Sequence, residues 1–299
     1  MYVVLGASGN TGHIVAQNLL ARGQKVRVVG RNATHLQPLA AKGAEIFVGD
    51  VGDAASLTKA FQQAAAAYVM IPPNITSDDV RGFQNRAGDA IAAAVNNADL
   101  QNVVSLSSIG ADKASGTGPV VGLHGLEQKL NQSGAANVLH LRAGYFMENT
   151  LPQVNAIRAM DAAAGPVRPD LKLPMIASRD IGAAAAEALA QLDFRGRQTH
   201  ELLGQRDLSY DEAAAIIGKA IGKPDLKYNQ LPGEKMRAVL VQMGMSDNFA
   251  GQLLELAAAL NSGHLVALES RNAGNTTPTS YETFVAEVFL PAYRQQAAA

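Results

Sequence analysis

Seven residues, Gly6-Ala7-Ser8-Gly9-Asn10-Thr11-Gly12, follow directly on the apolar run Tyr2-Val3-Val4-Leu5 and open a segment of helical periodicity. Few folds need three glycines at that junction. One glycine permits the tight turn out of a strand, one lets backbone N–H groups approach a pyrophosphate, and one lets the helix pack close to the sheet. The helix N-terminus brings the positive end of its dipole to the same spot. Ser8, Asn10 and Thr11 add short side-chain donors. The spacing is G-x-x-G-x-x-G rather than G-x-G-x-x-G. Its place between strand and helix is what distinguishes a phosphate loop from a Gly-rich turn.

The first half of the chain alternates short apolar runs with helical segments, the pattern of a parallel sheet covered on both faces. Strands are expected at 3–5, 25–30, 44–50, 67–72, 102–108 and 137–143. Helices are expected at 12–21, 34–42, 53–66, 78–97 and 121–132, with Gly23, Gly43 and Gly134 as stops. Alanine blocks at 64–67 and 183–186 read as helical. Past residue 150 the pattern turns mostly helical, at 153–163, 180–192, 233–243 and 247–261, with a strand at 199–204. Ser209–Glu212 forms a capping box for a helix ending at Gly222, and Thr279–Glu282 forms a second one. The expected fold class is α/β: a doubly wound parallel sheet over 1–150, completed by 176–204, with a smaller, mostly helical substrate lobe over 151–299.

Composition narrows the function. Twenty-five Lys and Arg face 26 Asp and Glu, giving a net charge of −1 and no electrostatic ground for nucleic acid or an anionic membrane. There is no cysteine, which removes disulfides, thiolate zinc sites and thiol catalysis. The six histidines include no pair at helical spacing, so no metal site is expected. No apolar stretch approaches the ~20 residues of a membrane span, and no basic leader precedes the first strand, so the expected location is cytoplasmic.

The end of the second strand selects the dinucleotide. An NAD site commonly places a carboxylate there for the ribose 2′-OH, about 20 residues past the glycines. This chain has Gly30-Arg31-Asn32 instead, and a planar cation at Arg31 suits the 2′-phosphate of NADP. Asp50 and Val51, at the tip of the third strand, are expected over the adenine, while Asp53 is more simply a helix N-cap. Ile71-Pro72-Pro73 leaves the fourth strand at the carboxyl edge, where an open α/β sheet holds its ligand. Tyr145 and Phe146 follow the sixth strand at the same edge. They could stack on nicotinamide or a flat acceptor, or could be plain core.

The loop GASGNTG, Arg31, the tip GDVGD, VSLSSIG at 104–110, LRAGYFMEN at 141–149, SRDIG at 178–182 and TTPTSYETFVAE at 276–287 together resemble the NmrA-like group of atypical short-chain dehydrogenases. The resemblance covers essentially the whole chain. It implies a Rossmann-type fold, NADP(H) on the glycine loop and a small-molecule acceptor in a cleft between two lobes. Similar proteins include quinone reductases, triphenylmethane-dye reductases and NADPH-sensing regulators, so the resemblance does not choose a reaction.

Tyrosine-dependent short-chain dehydrogenases use a Tyr followed four residues later by a Lys that lowers the phenol pKa. The seven tyrosines here are followed at that distance by Gly6, Pro72, Asn149, Ala214, Pro232, Val285 and Ala297. The dyad is absent from the sequence. Ser107 and Ser108 end the fifth strand near where such enzymes keep a substrate-binding serine. Ser107 and His124 are the candidate catalytic residues, His124 as proton donor or as a helix residue without chemistry. His124 and Glu127 stand three apart and could interact. Without a strong built-in acid, an electron-poor conjugated acceptor is favoured over an aliphatic ketone. The alternative is a non-catalytic NADP(H) sensor, and a sugar epimerase ranks last.

Overall fold

In the computed structural model, which describes residues 1–295, six strands and five helices alternate through the first half of the chain. The strands are β1 (Tyr2–Leu5), β2 (Val26–Gly30), β3 (Glu45–Val48), β4 (Ala66–Val69), β5 (Asn102–Ser108) and β6 (Asn137–Ala143). Between them run α1 (Asn10–Ala21), α2 (Gln37–Ala40), α3 (Ala54–Phe61), α4 (Val80–Asn97) and α5 (Val120–Asn131). Each βαβ crossover makes the next strand parallel to the last. After β7 (Tyr145–Phe146), α6 (Gln153–Met160), β8 (Ala163–Gly165) and β9 (Leu173–Ile176), the chain returns through α7 (Ser178–Gln191) and β10 (Arg197–Leu202). β10 pairs with β6, giving one seven-stranded, wholly parallel sheet in the order β10-β6-β5-β4-β1-β2-β3.

Alternation along the strands splits the core between the two faces. Tyr2, Val4, Tyr68 and Val104 point to one face and pack with Val15 and Leu19 of α1 and with Ile181, Ala185 and Leu189 of α7. Val3, Leu5, Val69 and Val103 point to the other, against Leu57 and Phe61 of α3, Ile91 of α4 and Leu126 of α5. Gly182 lets α7 approach α1 closely, since a Cβ there would lie 2.9 Å from the Thr11 carbonyl oxygen.

A separate hydrophobic cluster lies mostly in the second half, joined by Ile109, Ala111 and Val120 from the first. It is built by α6, β11 (Arg206–Leu208), α8 (Tyr210–Ile221), β12 (Tyr228–Gln230), α10 (Asp247–Ser262) and α11 (Tyr281–Phe284), with α9 (Gly233–Gln242) lying against α10. Buried carboxylates tie this part to the sheet. Asp180 on α7 accepts from the backbone N–H and hydroxyl of Thr279, at 3.0 and 2.7 Å. Glu201 on β10 accepts from the N–H groups of Leu268 and Glu269. Such charge-assisted bonds satisfy anions that would be costly to bury alone. Among the described residues, no helix is long and apolar enough to cross a membrane.

Several boundaries differ from the expectations. The helix expected to reach residue 66 ends at Phe61, and Ala66 and Ala67 lie in β4, fully buried. Burial between two helical layers overrides the helix preference of alanine. Gly134 does not close α5, which is capped at Gln132; its N–H donates to Asn96 instead. The second expected capping box does not form: Thr279 is held by Asp180, and Ser280 is a simple N-cap whose side chain accepts from Thr283 N–H. The box at Ser209 and Glu212 is present, and Gly222 is left-handed at φ +79°.

Candidate active site

The glycine loop turns sharply where β1 ends. Gly6 is left-handed at φ +64° and its carbonyl accepts from Gly9 N–H at 2.9 Å. A Cβ on Gly12 would lie 2.4 Å from the Gly6 carbonyl oxygen, so only glycine allows α1 to start this close to the sheet. The first helical hydrogen bond runs from His13 N to Gly9 O, leaving the N–H groups of Asn10, Thr11 and Gly12 ahead of it. Gly9, the N-cap, carries no side-chain cap, and the first turn has no acidic residue. That is an anion-ready helix end. Ser8 and Asn10 are exposed beside it, while the buried Thr11 hydroxyl receives the proton of Tyr68 at 2.9 Å.

Two hollows open along the carboxyl edge of the sheet. The smaller, about 100 Å³, is walled by Gly6, Ser8, Gly30, Arg31 and Val51. Arg31 is exposed, and among the described residues no carboxylate pairs with it. Asp50 is exposed too, and its Oδ1 accepts from Gly52 N–H at 2.7 Å in a tight turn rather than facing this hollow. Asp53 caps α3 through Ala55 and Ser56 N–H. Met70 and Pro72 wall both hollows, so the two are contiguous.

The larger hollow, about 260 Å³, lies beyond β4 and β5. Ile71, Pro72 and Pro73 form one side, Ser107 and Ser108 the floor, and Phe146 and Asn149 the rim after β6. Phe83 and Gln84 of α4, Leu123 of α5 and Phe249 of α10 complete it. Its walls include no Asp, Glu, Lys, Arg or His. The polar groups it offers are amides and hydroxyls only.

Charged groups stand one layer behind. Ser107 Oγ donates to Glu127 Oε1 at 2.5 Å, and Arg142 donates to both Glu127 oxygens at 2.9 and 2.7 Å. That carboxylate raises the Arg142 guanidinium above its ordinary range. Glu127 therefore does not engage His124. The His124 ring is half-buried, its Nδ1 bonds the Ala111 carbonyl at 2.8 Å, and it is not a wall of the crevice. Tyr145 departs from expectation in the same way. Its hydroxyl meets that of Tyr210 at 2.8 Å inside the second-half cluster, where burial pushes both phenols above their ordinary range. Phe146, the next residue, does line the crevice.

Sequence reasoning missed Met70, Phe83, Gln84, Asn149 and Phe249. Gln84 left a trace: it occupies the buried stripe of α4 with Val80, Ala87, Ile91 and Val95, where a polar residue is out of pattern. Phe249 left none, because only the tertiary fold brings α10 to this edge.

The sequence model of the NmrA-like family matches residues 2–284. The NAD(P)H azoreductase of Xenophilus azovorans is 28% identical over 270 residues, 90% of either chain. The (4-alkanoyl-5-oxo-2,5-dihydrofuran-3-yl)methyl phosphate reductase of Streptomyces griseus is 26% identical over 244 residues, 81% of this chain and 80% of its own. Among solved structures, the NADPH-dependent quinone oxidoreductase of Escherichia coli complexed with NADPH superposes with a TM-score of 0.75 at 24% identity, over 97% of this chain and 100% of that one. The Citrobacter sp. triphenylmethane reductase complexed with NADP(H) gives 0.79 at 19% identity, over 96% and 100%. Both share the fold.

Proposed function

The chain belongs to the NmrA-like family, and from that premise we propose that it is an NADPH-dependent oxidoreductase passing a hydride to a quinone-like or other conjugated small-molecule acceptor. The observation that carries this reading is the continuity, through Met70 and Pro72, of an anion-ready helix end with an uncharged crevice. The names of the azoreductase and quinone oxidoreductase relatives point the same way.

The residues present fit a dinucleotide. The cradle at Gly6, Gly9 and Gly12 is one a Cβ would fill or strain, and its N–H groups would hold the pyrophosphate with Ser8, Asn10 and Thr11 alongside. Arg31 would pair with the 2′-phosphate, and Val51 would flank the adenosine, while Asp50 turns away into its own loop. Ile71, Pro72 and Pro73 would line the nicotinamide ribose, with Ser107 and Phe146 near the ring. When bound, the reduced cofactor supplies a hydride. The chain's own part is to bind, orient and exclude water from one face of the acceptor. Its crevice walls contain no titratable side chain, so the proton that completes reduction comes from solvent. Such a site serves an electron-poor acceptor and not an aliphatic ketone, which needs an acid at its developing alkoxide.

The same lack of a wall acid is the observation that favours a second reading, a sensor that binds NADP(H) without turnover. One experiment separates them. Pure protein is mixed with NADPH and a panel of quinones and dyes, with NADH in parallel, and loss of the reduced nicotinamide absorbance is followed. Turnover with a particular acceptor supports the reductase. Tight NADPH binding with none of them oxidising it supports the sensor.

A further inference from the structure

Gln84 lines the crevice with an amide whose orientation its neighbours dictate. Its Oε1 accepts from Arg81 Nη1 at 3.0 Å, and its Nε2 donates to the Pro119 carbonyl at 2.8 Å. Guanidinium has no acceptor and a carbonyl has no donor, so the amide cannot be turned the other way. A primary amide carries two N–H donors, and only one of those on Gln84 has a partner among the described residues. The residue is only 8% exposed, so bulk water does little for the second.

The position is prepared on the facing helix as well. Gly122 of α5 sits under the amide, where a Cβ would come within 2.2 Å of Gln84 Cδ and 2.7 Å of Nε2. Any larger residue would push the amide aside. Arg81, bound also to the Gly118 carbonyl at 2.8 Å, places its charge directly behind Oε1. A cation on the oxygen of an amide polarises it and strengthens the N–H on the other side as a donor. A polarised donor on a crevice wall is the kind of group that stabilises developing negative charge.

We propose that Gln84 is a catalytic residue that grips the carbonyl oxygen of an uncharged, quinone-type acceptor through its free N–H and stabilises the negative charge formed there. This rests on the reductase reading and specifies its acceptor. A nicotinamide C–H bond would break as its hydride forms an O–H bond at one quinone oxygen, leaving NADP⁺. Both electrons enter the conjugated ring, the charge settles on the opposite oxygen, held by Gln84, and one proton from water completes the hydroquinone. Arg81 and Gly122 are positioning residues.

The test reads the contact itself as well as the rate. 1,4-Naphthoquinone labelled with ¹³C at its carbonyls is added to protein saturated with NADP⁺, so that no turnover occurs, and the infrared carbonyl band is recorded. In the native protein one carbonyl band lies below that of the free quinone, and in Gln84→Met it returns to the free position. Gln84→Glu keeps the shape and the link to Arg81 but has no N–H to give, and Gly122→Ala displaces the amide without altering it. Both lose the shift. With NADPH, the quinone kcat falls about 100- to 1,000-fold in Gln84→Met, in the range for a lost oxyanion donor, while the NADPH Kd stays within about twofold. An unshifted band in the native protein, failure of the quinone to bind, or a shift that persists in Gln84→Met overturns the proposal. A shifted band without turnover upholds the contact and removes the reductase reading.

Discussion

Arg142, on β6, closes a two-pronged ion pair on Glu127, on α5, behind the serine that floors the crevice. The Glu127 side chain is 4% exposed and that of Arg142 11%, so neither charge has water to turn to. Ser107 completes the carboxylate's bonding, which fixes its hydroxyl as a donor to Glu127.

Removing one charge of this pair strands the other. Glu127→Ala is expected to destabilise the protein by about 3–5 kcal/mol, as for other broken buried pairs. Ser107→Ala, which leaves the ion pair whole, costs about 1 kcal/mol. Urea unfolding of the two variants checks the contrast. Equal losses would mean the pair contributes no more than a single hydrogen bond.

Arg31 stands exposed at the smaller hollow without a carboxylate partner among the described residues, so replacing it disturbs little else. Arg31→Asp is expected to lower the NADPH-over-NADH affinity ratio by about 10- to 100-fold, the worth of a hydrogen-bonded charge contact. Thermal stability stays within about 0.5 kcal/mol, as for most surface changes. Fluorescence titration with both cofactors measures it. An unchanged ratio would assign selection to another group.

His124 tests the catalytic geometry. A positioned general acid contributes about 10²–10⁴-fold, yet this ring bonds the Ala111 carbonyl and stands off the crevice walls, so His124→Ala should lose less than about threefold in kcat. Steady-state kinetics on the best acceptor decides. A loss of a hundredfold or more would restore the proton-donor role.

His140 sets a pH limit on the fold. Burial holds its imidazole below the ordinary histidine range, with Glu127 opposing and Arg142 and Arg197 reinforcing the shift. Its ring donates from Nε2 to Asn131 and accepts at Nδ1 from Ser105, bonding that suits the neutral form. The unfolded chain takes up a proton near pH about 6.5 and the folded chain resists it. The stabilisation is complete above that pH and is lost as pH falls through the lower folded value. Urea midpoints followed from neutral to mildly acidic pH should decline, and His140→Gln should flatten that part of the curve. Parallel curves for the two proteins would argue against His140 as the cause.

Local chemistry made most of the sheet half legible. Gly23 and Gly43 are left-handed stops, Asp53 is an N-cap, and the three loop glycines stand where a turn, an approach and a close packing require them. What escaped was set by contacts distant along the chain. Thr279 reads as a cap until Asp180, 99 residues away, takes its hydroxyl. Glu127 reads as a neighbour of His124 until β6 brings Arg142 beneath it. Tyr145 follows a strand at the ligand edge, but an adjacent tyrosine in the second-half core draws its hydroxyl inward. Phe249 and Gln84 reach one crevice from opposite ends of the molecule's sequence.

The return of the chain through α7 and β10 bears on how the protein is made. During synthesis β6 remains an open edge, and the apolar face of α1 remains bare, until residues 178–202 have left the ribosome. A nucleotide-binding half that stops near residue 150 is therefore a sticky intermediate and not a finished domain. Anything that stalls translation between those points exposes the cell to its aggregation, and a truncated fragment lacking β10 should need a chaperone where the full chain does not.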